Sequence, residues 1–433
     1  MLKTFLYFSL LLLISGCTFE DVSSTQQQNE TLNLPTPKVT ENTVPMLDIL
    51  VSFKNQTISS TDEIWSQKFF GEQEGELNHY YIETSVAAFK YTQVREESNI
   101  VNDGIISISL DQNHPSIDVD NYYFEQKVYP LLSQALMKVD EFVDFSNYDK
   151  DANGFITPNE LTLVFIMAGY EDAYEGRHII NGIWGHQNCM EDENNVVLLD
   201  GVSMMGCEGK GNFAVFGEKH NRVEPYDATI GIIAHELGHA TFDLPDLYNT
   251  TNPNSGGIGF FGIMGSGTWG VKNDQEAAGT TPTHFTAWSK IYNGWIEPIE
   301  QKGDSSLYET SSDLYNIIKI PINATSYYLL ENRNNSGYDR GLYSLEGSFK
   351  GGIAIWKVDN TKLTQEYIEN NNVNGDTAHK GIDLVEAQSS LIDVQGDGGA
   401  ENALYYSENK SSFLSLVSNI SSRGDVMHLN INY

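Results

Sequence analysis

The sequence predicts an α+β fold, in which a core of helices and strands is followed by a C-terminal portion that is rich in strands. Apolar residues recur at helical spacing between residues 229 and 237, and their number favours a buried helix. Residues 163–170 form an uninterrupted apolar run of the length that is typical of a buried strand. After about residue 310, short apolar runs alternate with Asn, Ser and Gly turns, which indicates further strands. With 433 residues, the chain is long enough for one large domain or two moderate ones.

The first segment of the chain resembles the export signal of a bacterial lipoprotein. Lys3 precedes an apolar run from residue 5 to residue 14, which is too short to anchor the chain across a membrane. Small residues then precede Cys17, as in a lipoprotein signal that is cleaved before an acylated cysteine. We therefore expect residues 1–16 to be a signal peptide and Cys17 to carry a lipid. An ordinary secretion signal that is cut nearby is the alternative.

Residues 17–44 are predicted to be a flexible, lipidated tether. They are rich in Ser, Thr, Gln, Asn, Glu and Pro and contain few large apolar side chains, so they cannot bury enough surface to fold. The folded core is expected at residues 45–300 and the strand-rich portion at residues 301–433. We expect no folded propeptide between the tether and the core.

Residues 149–160 match the twelve-residue calcium-binding loop position by position. The expected oxygen ligands are the side chains of Asp149, Asp151, Asn153 and Glu160, the Phe155 carbonyl, and Thr157 through water. Gly154 stands where such a loop turns sharply. The sequence contains one such loop, so we expect a calcium ion that stabilises the fold and not a paired sensor module. An acidic surface turn without a metal is the alternative.

Cys189 and Cys207 remain if Cys17 is lipid-modified, since the chain has three cysteines. They flank a segment that resembles a hairpin, and export to an oxidising compartment would allow them to pair. We therefore expect a disulfide between Cys189 and Cys207. His186 precedes this segment, and we expect a structural role for it, with a place in an active-site cleft as the alternative.

The most specific feature of the predicted helix is the motif His-Glu-x-x-His at residues 235–239. Two histidines four positions apart lie on one face of a helix, so His235 and His239 can bind the same zinc ion. Glu236 can then reach a metal-bound water, take its proton and pass it to a leaving amine. Such short motifs also occur by chance, but the apolar sequence before this one predicts a buried helix, and buried histidines need partners.

Four segments after the motif carry a family resemblance. The chain reads Leu-Pro-Asp-Leu-Tyr at residues 244–248 and Ile-Met-Gly-Ser-Gly-Thr-Trp at residues 263–269. Leu-Leu-Glu-Asn-Arg at residues 329–333 and Gly-Ile-Asp-Leu-Val-Glu-Ala at residues 381–387 add to the pattern. With the motif, these segments resemble the immune-inhibitor-A family of bacterial secreted zinc metallopeptidases. The resemblance implies a metzincin-like core, a zinc cofactor and hydrolysis of peptide bonds.

The resemblance also assigns further site residues, although the spacing after the motif departs from the family pattern by one residue. Asp246 is implied as the third zinc ligand, with Asp243 as the alternative. Asp243 then takes the place of the family's glycine, since Asp tolerates the left-handed conformation that this turn needs. Met264 is implied to lie beneath the metal, and an ordinary core methionine is the alternative. The resemblance does not assign the group that stabilises the oxyanion; His284 and Tyr292 are candidates by their position in the sequence alone.

The charge of the chain argues against nucleic acid as a partner. Lys and Arg total 25 against 59 acidic residues, which gives a formal net charge of −34. Such a surface repels a phosphate backbone, and the sequence contains no basic patch.

These features predict a zinc metalloendopeptidase that also binds calcium and acts on proteins or peptides. The lipid would hold it at the bacterial cell envelope, in the outer membrane or on the cell surface. A surface lipoprotein that keeps the metal but does not cut, as an adhesion or binding module, is the alternative. Glu236 argues against that alternative, because a binding protein has no chemical need for the carboxylate.

Overall fold

The computed structural model describes residues 42–117, 127–252, 255–345, 349–388, 399–409 and 415–433, together with Gly347 and Ile392. The predicted signal peptide, Cys17 and nearly all of the predicted tether lie outside these residues. The first strand begins at Thr43, slightly before the predicted start of the core at residue 45. No helix in the described part of the chain is long and apolar enough to span a lipid bilayer.

The strands before residue 230 build one mixed sheet and one hairpin. They are β1 (Thr43–Ser52), β2 (Lys90–Gln93), β3 (Ile105–Ser109), β4 (Thr162–Glu171), β5 (Gly182–Ile183), β6 (His186–Asn188), β7 (Val197–Leu199), β8 (Val202–Met204), β9 (Phe213–His220) and β10 (Tyr226–Asp227). In the described residues the sheet has eight strands along the path β10-β9-β4-β1-β2, while β3 pairs with β1, β5 with β4 and β6 with β9. The central strands β1, β4 and β9 are parallel, whereas β6 and β10 run antiparallel to β9. β7 and β8 form the separate hairpin.

Helices cover both faces of this sheet. The α-helices in the described residues are α1 (Asp62–Phe70), α2 (Leu77–Thr84), α3 (Tyr129–Val139), α4 (Asp172–Glu175), α5 (Ile230–Phe242), α6 (Ala287–Tyr292) and α7 (Gln365–Glu369). α1, α2 and α5 pack on one face and α3 on the other. Side chains of β1 alternate between the faces, since Leu50 joins the first layer and Ile49 and Val51 join the second. Every residue of α5 except His239 is buried, which accounts for its apolar sequence.

The chain after residue 300 forms two antiparallel sheets, as the turn-rich pattern predicted. The strands are β11 (Gly303–Tyr308), β12 (Ile318–Pro321), β13 (Ser326–Arg333), β14 (Gly352–Asp359), β15 (Ile382–Leu384), β16 (Val417–Ser418) and β17 (Val426–Ile431). One sheet has the order β12-β13-β14-β15 and the other β11-β17-β16. Leu329 and Trp356 of the first sheet belong to the same apolar cluster as Ile233 and Leu237 of α5. The strand-rich portion therefore shares its core with the motif helix.

A buried ionic cluster fastens β13 to the chain that follows α5. Arg333 is fully buried and donates through Nε and Nη2 to the Asp339 carboxylate, with an Nε–Oδ2 distance of 2.6 Å. Its Nη1 donates to the Phe261 carbonyl at 2.7 Å. Glu331 on the same strand accepts a hydrogen bond from Trp356 Nε1 at 2.8 Å. Because a buried charge without a partner is costly, the cluster permits little displacement of β13.

Asp48 is a buried acid on the central strand β1. It is shielded from solvent, and neither carboxylate oxygen has a hydrogen-bond partner among the described residues. Burial, with a further contribution from Asp103, raises the pKa of Asp48 well above the usual range. The fold therefore favours the neutral acid. The contribution of Asp48 to stability is fully present below the pKa of the unfolded carboxyl, about 3.9, and is lost as the pH rises through the folded pKa.

We expect Asp48→Asn to raise the melting temperature by several degrees at pH 8 and by much less at pH 5, because the amide cannot ionise. Differential scanning calorimetry in matched buffers measures both shifts. Asp111→Asn is the control, because Asp111 is exposed on the surface. Equal shifts for Asp48→Asn at the two pH values would contradict the role assigned to this carboxyl group.

Candidate active site and metal centre

Helix α5 presents two histidines to the same point. His235 and His239 lie one turn apart, and their Nε2 atoms are 3.2 Å from each other. Nδ1 of His235 donates to the Ile263 carbonyl at 2.8 Å, and Nδ1 of His239 donates to the Leu244 carbonyl at 2.6 Å. These bonds place the ring proton on Nδ1 and leave both Nε2 atoms available as metal ligands.

The turn after α5 brings an acid to the histidines. Asp243 ends the helix in the left-handed conformation expected of it, with φ 57° and ψ 28°, and its N–H donates to the His239 carbonyl at 3.0 Å. Asp246 follows, with Oδ1 3.1 Å from His235 Nε2 and 3.2 Å from His239 Nε2. Of the two acids considered as the third ligand, Asp246 is the one that the structure brings to the histidines.

The three candidate ligand atoms fit the geometry of a tetrahedral zinc ion. Zinc bonds to N and O measure about 2.0–2.1 Å, so two ligand atoms of a tetrahedral ion lie about 3.3–3.4 Å apart. The three separations here, 3.1 Å, 3.2 Å and 3.2 Å, are close to that value. Asp246 Oδ1 is buried, and its short contacts to the two Nε2 atoms lack the geometry of hydrogen bonds. Such a buried oxygen fits a metal ligand, and two His and one Asp leave a fourth position for water or substrate.

Glu236 lines the same cleft, which has a volume of about 430 Å³. Its Oε2 accepts a hydrogen bond from the Gln187 N–H at 3.0 Å, in strand β6. Burial raises the pKa of Glu236 above its usual value. Glu171 supports this wall of the cleft, because its Oε1 accepts from the Gly185 N–H at 2.7 Å just before β6. The carboxylate of the motif is therefore held from outside its own helix.

Met264 packs against α5 beside the ligand-bearing turn. A Cβ atom at Gly238 would come within 2.6 Å of Met264 Sδ, so only glycine allows the methionine to approach this closely. The neighbouring Ile263 supplies the carbonyl that orients His235. Met264 thus packs as a core residue next to the candidate ligands.

The two residues considered for oxyanion stabilisation, His284 and Tyr292, do not line the cleft. His284 is fully buried, with Nε2 3.0 Å from Glu83 Oε1 and Nδ1 3.3 Å from Lys290 Nζ. Tyr292 stacks on Trp288 with 5.0 Å between ring centres. The His284 side chain is engaged in buried contacts and the Tyr292 ring packs on Trp288, so position in the sequence alone did not place either side chain in the cleft.

Tyr248 lies in the cleft. It ends the Leu-Pro-Asp-Leu-Tyr segment, in which the sequence pattern assigned no chemical role to the tyrosine. Its ring is nearly parallel to that of His235, with 6.5 Å between ring centres. Burial, and then the Asp246 carboxylate, raise the pKa of Tyr248, so its hydroxyl keeps its proton. A protonated phenol beside the metal ligands can donate a hydrogen bond to a developing oxyanion.

His186 also lines the cleft. Its Nδ1 donates to the Trp184 carbonyl at 2.8 Å, and its Nε2 lies 3.4 Å from the Tyr129 hydroxyl. His186 begins strand β6, and the contacts with Trp184 and Tyr129 fix the orientation of its ring, which favours the structural role.

A family model matches the part of the chain that contains this site. The model of the immune inhibitor A peptidase M6 catalytic domain matches residues 42–296, which is more than half of the chain. The chain belongs to this family. The matched region includes the histidine motif, Asp246, Met264 and the predicted calcium loop, and it ends before the strand-rich portion.

Individual members of the family are similar to shorter parts of the chain. Pre-pro-metalloprotease PrtV of Vibrio cholerae serotype O1 is 32% identical over 151 residues, which is 34% of this chain and 15% of PrtV. Immune inhibitor A of Bacillus thuringiensis subsp. alesti is 31% identical over 174 residues, 37% of this chain and 24% of that protein. The chain therefore spans no more than 24% of the length of these relatives. The crystal structure of OgpA from Akkermansia muciniphila aligns with 78% of this chain and 89% of the OgpA chain, at 15% sequence identity. The TM-score of 0.27 is too low to show a shared fold.

The predicted calcium loop, which lies inside the family match, gathers its acids. Carboxylate oxygens of Asp149, Asp151 and Glu160 lie within 4.8 Å of one another. Glu160 closes the loop, since Oε1 accepts from the Lys150 N–H at 2.9 Å and Oε2 accepts from the Thr157 N–H at 2.9 Å. The first and last acids of the loop therefore face the same point.

The middle of the loop turns at Gly154, with φ 86°, which glycine adopts without strain. Asn153 Oδ1 accepts from the Phe155 N–H at 2.8 Å, and Asp149 Oδ2 accepts from the Gly154 N–H at 2.9 Å. The structure thus brings the three acids together, while the Asn153 amide accepts from the Phe155 N–H and donates to Asp151 Oδ2 at 3.0 Å.

Cys189 and Cys207 are joined by a disulfide. The bridge closes the segment that contains the hairpin of β7 and β8. Ser203 in β8 pairs with the calcium loop, because its N–H donates to the Gly154 carbonyl at 2.8 Å and its carbonyl accepts from the Ile156 N–H at 3.0 Å. The disulfide, the hairpin and the loop therefore form one continuous unit beside β6.

Proposed function

We propose that the protein is a zinc-dependent endopeptidase with a metzincin-like core, acting on proteins or peptides. The observation that carries the proposal is the meeting of His235 Nε2, His239 Nε2 and Asp246 Oδ1 within 3.2 Å of one another. Glu236 lines the same cleft. Membership of a peptidase family supports this reaction class.

The proposed mechanism divides the chemistry between the metal and two side chains. His235, His239 and Asp246 would hold the zinc ion, which would supply Lewis-acid chemistry at the scissile carbonyl and lower the pKa of water. Glu236 takes a proton from the attacking water and passes it to the nitrogen of the leaving amine. The Gln187 N–H keeps that carboxylate in one orientation. Tyr248 donates a hydrogen bond to the oxyanion, in place of the two residues that the sequence suggested.

A metal-binding surface lipoprotein without peptidase activity, such as an adhesion module, is the second candidate function. It would need the three metal ligands but neither Glu236 nor the hydrogen bond from Gln187. Burying a carboxylate costs free energy, so a binding protein gains nothing from Glu236 at this position. The presence of Glu236 in the cleft therefore favours catalysis.

We also propose a structural calcium ion in the loop at residues 149–160. Three carboxylates within 4.8 Å repel one another, and a divalent cation with oxygen ligands would offset that repulsion. Because Ser203 is hydrogen-bonded to the loop, a bound calcium ion would also stabilise the hairpin that the disulfide closes.

For location, we propose export and a lipid anchor at Cys17, on the basis of the sequence before residue 45. Multiple acyl chains on one residue give stable anchoring where a single chain is marginal. The flexible segment at residues 17–44 would hold the peptidase close to the cell envelope, at the outer membrane or the cell surface.

Glu236→Gln is expected to keep its zinc and to lose about 10²–10⁴-fold in kcat/KM on a fluorogenic peptide or casein, the range that general acid–base catalysis contributes.

Asp246→Ala is expected to lose zinc, measured by elemental analysis after gel filtration. Asp243→Gly is the matched control for the second variant, because glycine keeps the left-handed turn and zinc should remain.

Two outcomes would decide against this assignment. A zinc-loaded Glu236→Gln protein that cleaves like wild type would remove Glu236 from catalysis. A wild-type protein that binds zinc tightly but cleaves neither casein nor a peptide library would favour the binding lipoprotein.

Calcium is expected to raise the melting temperature of the wild type by several degrees, since a ligand at 100 times its Kd stabilises the folded state by about 2.7 kcal/mol. The double variant Asp149→Asn with Glu160→Gln should lose this response. Asp111→Asn with Glu193→Gln removes the same charge from exposed positions and should keep it. An unchanged melting temperature of the wild type from calcium-free to millimolar calcium would mean that the loop is an acidic turn.

Cys17→Ser is expected to prevent lipoprotein processing and to release the protein from the membrane fraction, because serine cannot carry the thioether-linked lipid. Cell fractionation with and without detergent measures the distribution. A Cys17→Ser protein that is processed and sediments with membranes like the wild type would exclude the anchor.

A further inference from the structure

The segment after α7 runs along the loop that carries Asp246. Backbone and side chains of residues 371–377 bond to residues 246–251 at several successive points. The bonds are Asn374 Nδ2 to the Leu247 carbonyl at 2.8 Å, Asn249 Nδ2 to Thr377 Oγ1 at 2.9 Å, Thr250 Oγ1 to the Asn371 carbonyl at 3.0 Å and Thr251 Oγ1 to the Gly375 carbonyl at 2.5 Å. A part of the strand-rich portion, outside the family match at residues 42–296, therefore shapes one side of the metal centre.

Asn371 contacts Asp246 through both atoms of its amide. Its Nδ2 donates to Asp246 Oδ2 at 2.5 Å, and its Oδ1 accepts from the Asp246 N–H at 2.7 Å. The first bond occupies one oxygen of the carboxylate, and the other oxygen, Oδ1, faces the two histidine Nε2 atoms. The second bond fixes the backbone from which the carboxylate extends. Together they determine which oxygen of Asp246 is presented to a metal.

The two contacts need a side-chain amide, which both donates and accepts, on a residue with a left-handed backbone conformation. Asn371 has φ 49°, in the left-handed region that asparagine tolerates better than most residues. Asp at this position would place a second carboxylate against Asp246 Oδ2, and like charges at that distance repel. An apolar side chain would leave both the Asp246 N–H and Oδ2 without these partners.

We propose that Asn371 is a positioning residue that orients Asp246 for zinc, so that the strand-rich portion sets the metal affinity of the site. The inference rests on the proposed zinc site and extends it to a residue that no metal-binding pattern contains. Hydrogen-bond partners of metal ligands commonly change metal affinity by 10-fold to 100-fold when they are removed.

The experiment uses the full chain without bound metal, and measures the zinc Kd by competition with a chromogenic chelator. Asn371→Gly removes the amide while glycine accepts the left-handed backbone, so the metal-free protein should keep its melting temperature within a few degrees. Asn371→Asp tests the charge at nearly constant shape. Asn370→Ala is the matched control, because Asn370 is an exposed neighbour that bonds to the Glu366 carbonyl and not to Asp246.

We expect the zinc Kd to rise about 10-fold to 100-fold in Asn371→Gly and further in Asn371→Asp, and to stay within about 2-fold of wild type in Asn370→Ala. A merely structural role would lower the melting temperature of the metal-free protein and leave the Kd unchanged. A folded Asn371→Gly protein with the zinc Kd of wild type would overturn this inference alone. A wild-type chain that binds no zinc would overturn the proposed function, and the inference with it.

Discussion

The two histidines of α5 depend on residues outside the helix for the orientation of their rings. A helix sets the spacing of His235 and His239, but the rotation of each imidazole needs a partner for the second ring nitrogen. The Leu244 and Ile263 carbonyls supply those partners. Both belong to chain that leaves the helix through the left-handed turn at Asp243. The path of the chain after the motif therefore determines the geometry of the proposed metal centre.

The strand-rich portion takes part in the same constraint. Arg333 bonds to the Phe261 carbonyl, close to the residue that orients His235, and Asn371 bonds to the loop of Asp246. The boundary expected near residue 300 separates stretches of sequence, but the apolar core and the ionic cluster continue across it. The segment containing Arg333, which lies outside the family match at residues 42–296, thereby contacts the chain that follows the motif helix.

Local patterns predicted the motif helix and the long central strand, because spacing over a few residues determines each of these, whereas the family resemblance supplied Asp246 as the acid beside the histidines. Contacts between distant residues were not predictable in this way. Asn371 is 125 positions from Asp246, and Gln187 is 49 positions from Glu236. The same limit explains the error for His284, because closeness to the motif in sequence does not determine which way a buried side chain points. The parallel order of the central strands likewise depends on pairings that no single segment encodes.

The predicted calcium loop and the disulfide are connected to the cleft through strand β6. Gln187 holds the Glu236 carboxylate from this strand, and the chain reaches Cys189 immediately after the strand ends. The disulfide ties that point to the hairpin, whose Ser203 is paired with the calcium loop at Gly154. A general base acts efficiently only when its carboxylate stays in one orientation. A displacement of β6 would therefore change the orientation of the Glu236 carboxylate. The predicted loop and the disulfide therefore bear on the proposed reaction through their connection to the strand that orients the Glu236 carboxylate.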